Sequence, residues 1–347
     1  MSKILKVGVI GLGMGGAHVA NFSKDDRVEV VGICDLNPER LERVQKKHDI
    51  PNTFEDANEL LGVQGLDAVT IAVPNAFHHS LTISALDKGL HVLCEKPMAM
   101  TVAEAESMEK AAVEAKKNLM INFSHRCHPT MVSLKKAVEA GTIGEIYSGR
   151  TVWHRRRGMP GFGGWFGQKK MSGGGPLIDL GVHRLDQALW LMDYPEPISV
   201  SGCTYDPIAQ AEAKKQGKDF DVEDLAMGFV RFANGASLVI EASWALNIPD
   251  REHMITQLYG TKGGLVQRNL NQGYDFEAEI YLEQNGSHFT QHLDVPADAG
   301  SSSYREFIDS IVENREPAAT ASQGVKVQKI LEGLYTSSKT GKEVRFD

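Results

Sequence analysis

Three ionisable side chains recur at helical spacing in the segment GGGPLIDLGVHRLDQALWLM. Asp179, His183 and Asp186 stand at i, i+4 and i+7, which places them on one stripe of a helix otherwise rich in Leu, Ile and Val. Histidine has the natural pKa for proton transfer near neutrality, and a neighbouring carboxylate can orient or charge it. The pattern predicts a proton-transfer site; the alternative is a buried, hydrogen-bonded histidine on an amphipathic helix.

A lysine follows a short apolar run in the segment HVLCEKP. Lys96 would stand at the carboxyl edge of a parallel sheet, where doubly wound folds bind ligands. There it could donate to a substrate hydroxyl and stabilise a developing alkoxide. A lone lysine at a strand end is more often solvated, so this residue alone identifies no function.

A glycine-rich turn opens the chain as Gly11-Leu12-Gly13-Met14-Gly15-Gly16. It fits G-x-G-x-x-G between an apolar run and a helical one, with Asp35 ending the next apolar run. Gly11, Gly13, Met14 and Gly16 are therefore predicted to lie against a dinucleotide pyrophosphate, and Asp35 to bind the ribose hydroxyls. The charge of Asp35 would repel a 2′-phosphate, which favours NAD over NADP, although Arg40 keeps NADP open.

Neither a metal site nor acyl transfer is predicted. The histidines near residues 78 and 125 have no recognised ligand spacing between them, and no serine or cysteine has a nucleophile-elbow context. No metal is expected.

The elements that position these residues indicate two domains. Over residues 1–125, short β-branched apolar runs alternate with helical stretches, which predicts a Rossmann-type α/β domain with a doubly wound parallel sheet. Residues 126–347 carry longer alternating strands and the hairpin signal Asn234-Gly235, which predicts an α+β domain with an open, mainly antiparallel sheet. Whether the last helices pack back on the first domain is left open.

The second domain also offers side chains that suit a sugar or polyol. Aromatic faces can stack on sugar rings, and Arg and His can bond hydroxyls or a carboxylate. Trp153, His154, Arg156 and Trp165 are the predicted substrate contacts, with Arg155, Arg157 and Trp244 in suitable segments; a solvated arginine rim and core tryptophans are the alternative.

Composition excludes several classes of protein. The 347 residues include 37 Lys and Arg against 45 Asp and Glu, a net charge of −8, which opposes binding to nucleic acid. No window approaches 18 apolar residues, the N-terminus lacks signal-peptide features, and four scattered cysteines fit reduced thiols. A cytoplasmic protein without a membrane or nucleic-acid partner is expected.

Taken together, the motifs resemble the glucose-fructose oxidoreductase, inositol dehydrogenase and rhizopine-catabolism family (Gfo/Idh/MocA). The matches run in chain order and span nearly the whole sequence: GLGMGG, VPNAFHHSLTISALDKGLHVLCEKPMAMT, GGGPLIDLGVHRLDQALWL, YGTKGGL and LEGLYTSSKTGKEV. The segment NFSHRCHP departs from the common family pattern at Cys127 and His128.

The resemblance implies functions for particular residues. Lys96, Asp179 and His183 match the family's catalytic positions and would also bind substrate. The positions that match sites near the cofactor are Asn75, His78, Glu95 and Lys96. A homodimer or homotetramer is expected by resemblance only.

These expectations combine into one leading function, the NAD-dependent oxidation of a secondary hydroxyl of a cyclic polyol or sugar to the ketone. His183 would take the hydroxyl proton, Lys96 would donate to the same oxygen, and Asp179 would orient His183 or bind an adjacent hydroxyl. Two alternatives stay open: a redox-assisted glycosidase or lyase that uses bound NAD catalytically, and a non-catalytic NAD-sensing regulator.

Overall fold

The computed structural model describes residues 4–296 and 300–346. It separates the chain into a first unit, Met1–Phe123 with Ser302–Gln328, and a second unit, Ser124–Ser301 with Lys329–Asp347. The predicted boundary after residue 125 lies two residues beyond Phe123, and the segment Ser302–Gln328 returns to the first unit.

The first unit contains a six-stranded sheet in which every pair of neighbouring strands is parallel. Its strands are β1 (Leu5–Ile10), β2 (Val28–Cys34), β3 (Thr53–Phe54), β4 (Ala68–Ile71), β5 (His91–Cys94) and β6 (Leu119–Ile121). The helices between them are α1 (Gly15–Phe22), α2 (Pro38–His48), α3 (Ala57–Leu61), α4 (His78–Asp87) and α5 (Val102–Ala115). The strand order β3-β2-β1-β4-β5-β6 reverses between β1 and β4, the point at which doubly wound sheets bind dinucleotides.

Local sequence explains these elements. Strand β4 is buried at all four positions, as expected for a strand covered on both faces. Helix α2 is capped by Asn37, whose side chain accepts from the Arg40 N–H, and α5 is capped by a capping box between Thr101 and Glu104. The predicted doubly wound domain is confirmed.

The second unit contains a nine-stranded mixed sheet with the order β14-β13-β12-β11-β7-β10-β9-β8-β15. In chain order its elements begin with α6 (Pro129–Glu139), β7 (Ile146–Arg155), α7 (Lys169–Ser172), α8 (Val182–Leu191), β8 (Pro197–Tyr205) and α9 (Pro207–Gln216). They continue with β9 (Leu225–Phe232), β10 (Ser237–Ser243), β11 (Glu252–Gly260), β12 (Gly263–Leu270), β13 (Asp275–Gln284) and β14 (Ser287–His292).

The predicted, mainly antiparallel sheet is confirmed, with one parallel pair, β7 with β10. The chain between these two strands passes through several helices, so it can return in the same direction. Gly235 has a φ of +85° in the turn between β9 and β10, where the Asn-Gly signal predicts the hairpin.

The helix expected in the segment GGGPLIDLGVHRLDQALWLM is two elements. Leu177–Gly181 forms a π-helix, and α8 continues from it as an α-helix. The extra residue in each π-helical turn changes the direction in which Asp179 points relative to a regular α-helix, and π-helical turns are frequent at functional sites.

The chain ends with α10 (Ser303–Val312), α11 (Ala321–Thr340) and β15 (Val344–Arg345). Within the first unit, Asn118 Nδ2 donates to Ser310 Oγ at 3.0 Å, and Met120 pairs with Thr320 in a β-bridge. Within the second unit, β15 pairs with β8. None of the helices in the described ranges is both long and apolar enough to cross a bilayer.

Candidate active site

The glycine turn of the first unit lies at the carboxyl end of β1. Gly11 has a φ of +83°, and a Cβ there would lie 2.4 Å from the Ala72 carbonyl oxygen, so only glycine fits. Gly13 and Gly16 have open space where a Cβ would stand. The close approach to β1 is made instead by Gly15, whose Cβ would lie 3.1 Å from Val9 Cγ1. The close packing of helix on strand that the motif assigns to its last glycine, Gly16, is therefore made by Gly15.

Asp35 is the acidic residue at the end of β2, and it is 9% exposed. Its Oδ2 accepts from the backbone N–H of Leu12 at 2.7 Å and from Arg40 Nη1 at 3.0 Å. The carboxylate thus joins the glycine turn to α2. The open space at Gly13 and the placement of Asp35 at the adjacent strand end fit the pyrophosphate and ribose of a dinucleotide.

Glu95 and Lys96 follow β5 at the same edge of the sheet. Glu95 Oε1 accepts from Asn122 Nδ2 at 2.5 Å and lies 2.9 Å from His18 Nε2, while Glu95 Oε2 accepts from the Lys96 N–H at 3.2 Å. Burial acts to raise the pKa of Glu95, but the hydrogen bond of His18 and the nearby charges outweigh it, so the pKa lies below its usual value. Lys96 itself is partly exposed.

His78 and Asn75 follow β4, and both are buried. The ring nitrogens of His78 face two backbone carbonyls, Pro97 O at 2.7 Å and Val73 O at 3.0 Å, and burial lowers the pKa of the ring. The side chain of His78 is therefore engaged with the segment that carries Lys96. Met14, in contrast, is 66% exposed in the glycine turn.

In the second unit, a buried carboxylate fixes the start of the π-helix. Glu223 accepts from the N–H groups of Gly175 at 2.8 Å and Leu177 at 3.2 Å, and from the Tyr335 hydroxyl at 2.8 Å. Burial raises the pKa of Glu223. A Cβ at Gly175 would lie 2.1 Å from the Glu223 carbonyl oxygen, so the glycine run permits this close packing.

The π-helix presents Asp179, and α8 presents His183. Trp244, fully buried after β10, donates its indole N–H to Asp179 Oδ2 at 3.0 Å. The ring of His183 stacks on that of His125 with centroids 4.4 Å apart and lies 5.9 Å from the Trp153 ring. A carboxylate held by a fixed donor and an imidazole packed against neighbouring rings can accept protons or hydroxyl hydrogen bonds in defined directions.

Asp186, the third member of the predicted stripe, has a different partner. Arg126 Nε donates to Asp186 Oδ2 at 2.8 Å and Arg126 Nη2 to Oδ1 at 2.5 Å, and the Tyr194 hydroxyl also donates to Asp186. Arg126 and Asp186 are 3% and 1% exposed. This buried ion pair joins the turn before α6 to α8, and it engages both carboxylate oxygens of Asp186.

The predicted substrate contacts of the second unit separate onto different surfaces. Trp153 is 3% exposed and donates its indole N–H to Glu252 Oε1 at 2.6 Å, so it packs in the core near His183. His154, next along β7, points to the opposite face of the sheet, where its Nε2 lies 3.3 Å from Glu241 Oε2. The structure therefore brings Trp153, but not His154, to the side of His183.

The remaining candidates lie in or next to loops. Arg156 is exposed, and Trp165 is partly exposed and stacks on Phe166 with ring centroids 3.9 Å apart. Arg155 is held by Glu252 and by the Tyr274 hydroxyl. Trp244 is not a stacking platform, because it is fully buried and donates to Asp179.

Sequence patterns did not indicate the contacts that His125, Arg126 and Glu223 make with the segment carrying Asp179 and His183. His125 stood out only as one histidine in an unusual NFSHRCHP segment, and neither Arg126 nor Glu223 had a local signal. Arg126 is 60 residues from Asp186 in sequence, and Glu223 is 46, 48 and 112 residues from Leu177, Gly175 and Tyr335. Across residues 4–296 and 300–346, no cluster of three or more His, Cys, Asp or Glu side chains could hold a metal ion.

Two models of one protein family together match nearly the whole chain. Residues 5–123 match the family model GFO_IDH_MocA, described as "Oxidoreductase family, NAD-binding Rossmann fold", and residues 135–346 match its partner model, the "C-terminal alpha/beta domain".

Individual proteins with dehydrogenase names are also similar to this chain. The chain is 33% identical to a D-glucoside 3-dehydrogenase of Escherichia coli (strain K12), over 99% of this chain and 98% of that protein. It is 30% identical to a levoglucosan dehydrogenase of Pseudarthrobacter phenanthrenivorans, over 76% and 73% of the two chains. A solved structure of levoglucosan dehydrogenase with NADH and levoglucosan is 25% identical and superposes with a TM-score of 0.85, covering 98% of this chain and 99% of that one.

Proposed function

Because the chain belongs to the GFO_IDH_MocA oxidoreductase family, we propose that it is an NAD-dependent dehydrogenase that oxidises a secondary ring hydroxyl of a pyranoside or cyclic polyol to the ketone. The observation that carries the proposal is the oriented pair in the second unit. Asp179 is fixed by the Trp244 indole N–H at 3.0 Å, and His183 follows on the next turn.

The residues have distinct proposed roles. His183 accepts the proton of the reacting hydroxyl, and Lys96 donates a hydrogen bond to the same oxygen as negative charge develops on it. Asp179 binds an adjacent hydroxyl or orients His183. Bound NAD supplies the acceptor for the two electrons and the hydrogen removed from carbon.

The cofactor preference is argued from Asp35. Its carboxylate stands at the end of β2 beside Arg40 and the Leu12 N–H, where it can accept from ribose hydroxyls. A 2′-phosphate would bring negative charge against this carboxylate. NAD is therefore the proposed cofactor, with NADP less favoured.

The substrate class rests on the relatives. D-glucoside 3-dehydrogenase, levoglucosan dehydrogenase and myo-inositol 2-dehydrogenase all have names that specify a cyclic polyhydroxylated substrate. Arg155 shares a sheet face with Trp153 and already has a carboxylate partner in Glu252, with Arg155 Nε and Glu252 Oε1 2.9 Å apart. The neutralised guanidinium of Arg155 on that face favours a neutral glycoside over an acidic or phosphorylated sugar.

The experiment that tests the proposal is NADH formation followed at 340 nm. Methyl glucopyranosides, levoglucosan, myo-inositol, free aldoses and sugar phosphates would be compared with NAD and with NADP. We expect turnover with NAD and a neutral glycoside or polyol. No reduction of either cofactor with any substrate, or cleavage of the glycoside without net NADH, would overturn the proposal.

A cytoplasmic location and assembly into a homodimer or homotetramer stay predictions. Size-exclusion chromatography with light scattering measures the assembly directly.

A further inference from the structure

One face of the His183 imidazole is covered by a second histidine. The His125 and His183 rings are 4.4 Å apart at an interplanar angle of 28°, the geometry of a stacked pair. His125 also lies 5.3 Å from the Trp153 ring, and Trp153 lies 5.9 Å from His183. The three rings form a triangle in which each contacts the other two.

The turn that carries His125 is fixed to α8, the helix that carries His183. The 3₁₀ turn Ser124–Cys127 places Arg126 next to His125, and Arg126 forms the bidentate, buried ion pair with Asp186 of α8. The His125 carbonyl oxygen also accepts from Gln187 Nε2 at 3.3 Å. Two polar contacts and one ring contact thus hold the turn and the helix in register.

This arrangement addresses a requirement of proton transfer. A proton acceptor must direct one ring nitrogen at the hydroxyl, but the second side-chain torsion of histidine is broad and does not fix the ring plane. A flat ring packed on its face restricts that torsion. Trp153 packs beside the two histidine rings. Because Glu252 holds the indole N–H of Trp153, this ring restricts lateral movement of the histidine pair.

We propose that His125 is a positioning residue for His183, and that the Arg126–Asp186 ion pair presents His125 to it. The proposal rests on the proposed function, since it assigns His125 a role in the reaction for which His183 is the proton acceptor. A planar ring at position 125 is the required feature, and its effect is on turnover rather than on substrate or cofactor affinity.

The test compares two substitutions at one position. His125→Phe keeps a flat ring and removes the nitrogens, whereas His125→Ala removes the ring. We expect His125→Phe to retain kcat within about threefold of the unsubstituted enzyme and His125→Ala to lower kcat about tenfold, the effect of losing one stacked pair. The KM for the glycoside and the Kd for NAD should each change by less than about threefold.

His128→Ala is the matched control, because His128 lies in the same segment but packs on Phe276 and caps α6. It is expected to leave kcat unchanged. If His125→Ala does not fold, His125→Leu, which fills the space with a non-planar side chain, is expected to show the same loss.

Three results would overturn the proposal. His125→Ala or His125→Leu could turn over at the rate of the unsubstituted enzyme, His125→Phe could fall as far as His125→Ala, or KM could rise while kcat is kept. Failure of the proposed function has a different signature, since the unsubstituted protein would then reduce neither NAD nor NADP. Failure of His183 as the proton acceptor would leave His183→Asn with full turnover. In an enzyme where His183→Asn is inactive, full activity of His125→Ala contradicts only the positioning role.

Discussion

The indole N–H of Trp244 donates to Asp179 Oδ2 at 3.0 Å from a fully buried position. A hydrogen bond to a charged group contributes about 1.5–3 kcal/mol, and here it also selects one carboxylate orientation. Trp244→Phe keeps a ring in the core and removes only the donor. We expect kcat/KM for the glycoside to fall roughly tenfold or more.

A double-mutant cycle separates this effect from a general loss of packing. If Trp244 acts through Asp179, the variant Trp244→Phe/Asp179→Asn should be no slower than Asp179→Asn alone. Additive losses in the cycle would show that Trp244 acts by another route.

Asp35 and Arg40 make cofactor choice testable. Asp35→Ser removes the carboxylate and releases Arg40, whose Nη1 lies 3.0 Å from it. The KM for NAD should rise about tenfold, because two ribose hydrogen bonds are lost, while NADP becomes a better substrate as Arg40 becomes available to a 2′-phosphate. Adding Arg40→Ala should remove the gain for NADP, and steady-state kinetics with both cofactors measure this. An unchanged NAD:NADP ratio in Asp35→Ser would contradict the assignment.

We expect the Arg126–Asp186 ion pair to make a large contribution to the free energy of unfolding. Arg126→Met leaves a buried carboxylate without its counter-charge, which costs about 3–5 kcal/mol in such pairs. Arg184→Met is the comparison, since Arg184 is fully buried but its Nη1 donates to the neutral oxygens of Gln187 and Gln267, and burial lowers its pKa to about 9. Urea unfolding should show a larger loss for Arg126→Met. Equal losses in the free energy of unfolding would mean that the Arg126–Asp186 ion pair stabilises the protein no more than the contacts of Arg184 do.

The lowered pKa of the partly buried His91 allows a prediction of how the free energy of unfolding depends on pH. Its Nδ1 accepts from the Asn118 N–H at 3.0 Å, and burial lowers its pKa from 6.5 to about 4. Between pH 6.5 and 4 the unfolded chain binds a proton that the folded chain does not, so the free energy of unfolding falls as the pH decreases through this window.

His91→Asn removes that titration, and we expect a flatter dependence in urea unfolding measured from pH 7 to pH 4.5. His288→Asn, at an exposed position, should keep the slope of the original protein. A slope that is the same with and without His91 would contradict the assignment.

Much of the fold could be predicted because its signals are local. Continuous apolar strands, the glycine turn and the Asn234-Gly235 hairpin each depend on neighbouring residues. Helix α9 was missed because its polar sequence has no clear apolar stripe. The π-helix was missed because an i, i+4, i+7 pattern does not reveal an inserted residue in the turn.

Residues of the candidate site could be proposed from the sequence only where a motif marked them. Asp179 and His183 follow from their spacing, whereas Trp244, Glu223 and Arg126 act on partners far along the chain. The pairing of Trp153 with His154 as joint substrate contacts overlooked strand alternation, which places adjacent residues on opposite faces. Alternation within β7 alone could have separated them.

The measurement that tests the central claim most directly is single-turnover hydrogen transfer from a glycoside deuterated at the reacting ring carbon. The account predicts that deuterium appears in the reduced NAD at a rate slowed by the isotope. It also predicts that His183→Asn and Lys96→Met lower this rate about 10²–10⁴-fold while the Kd for NAD stays within about twofold. Transfer at the original rate in either variant, or reduced NAD without deuterium, would contradict it.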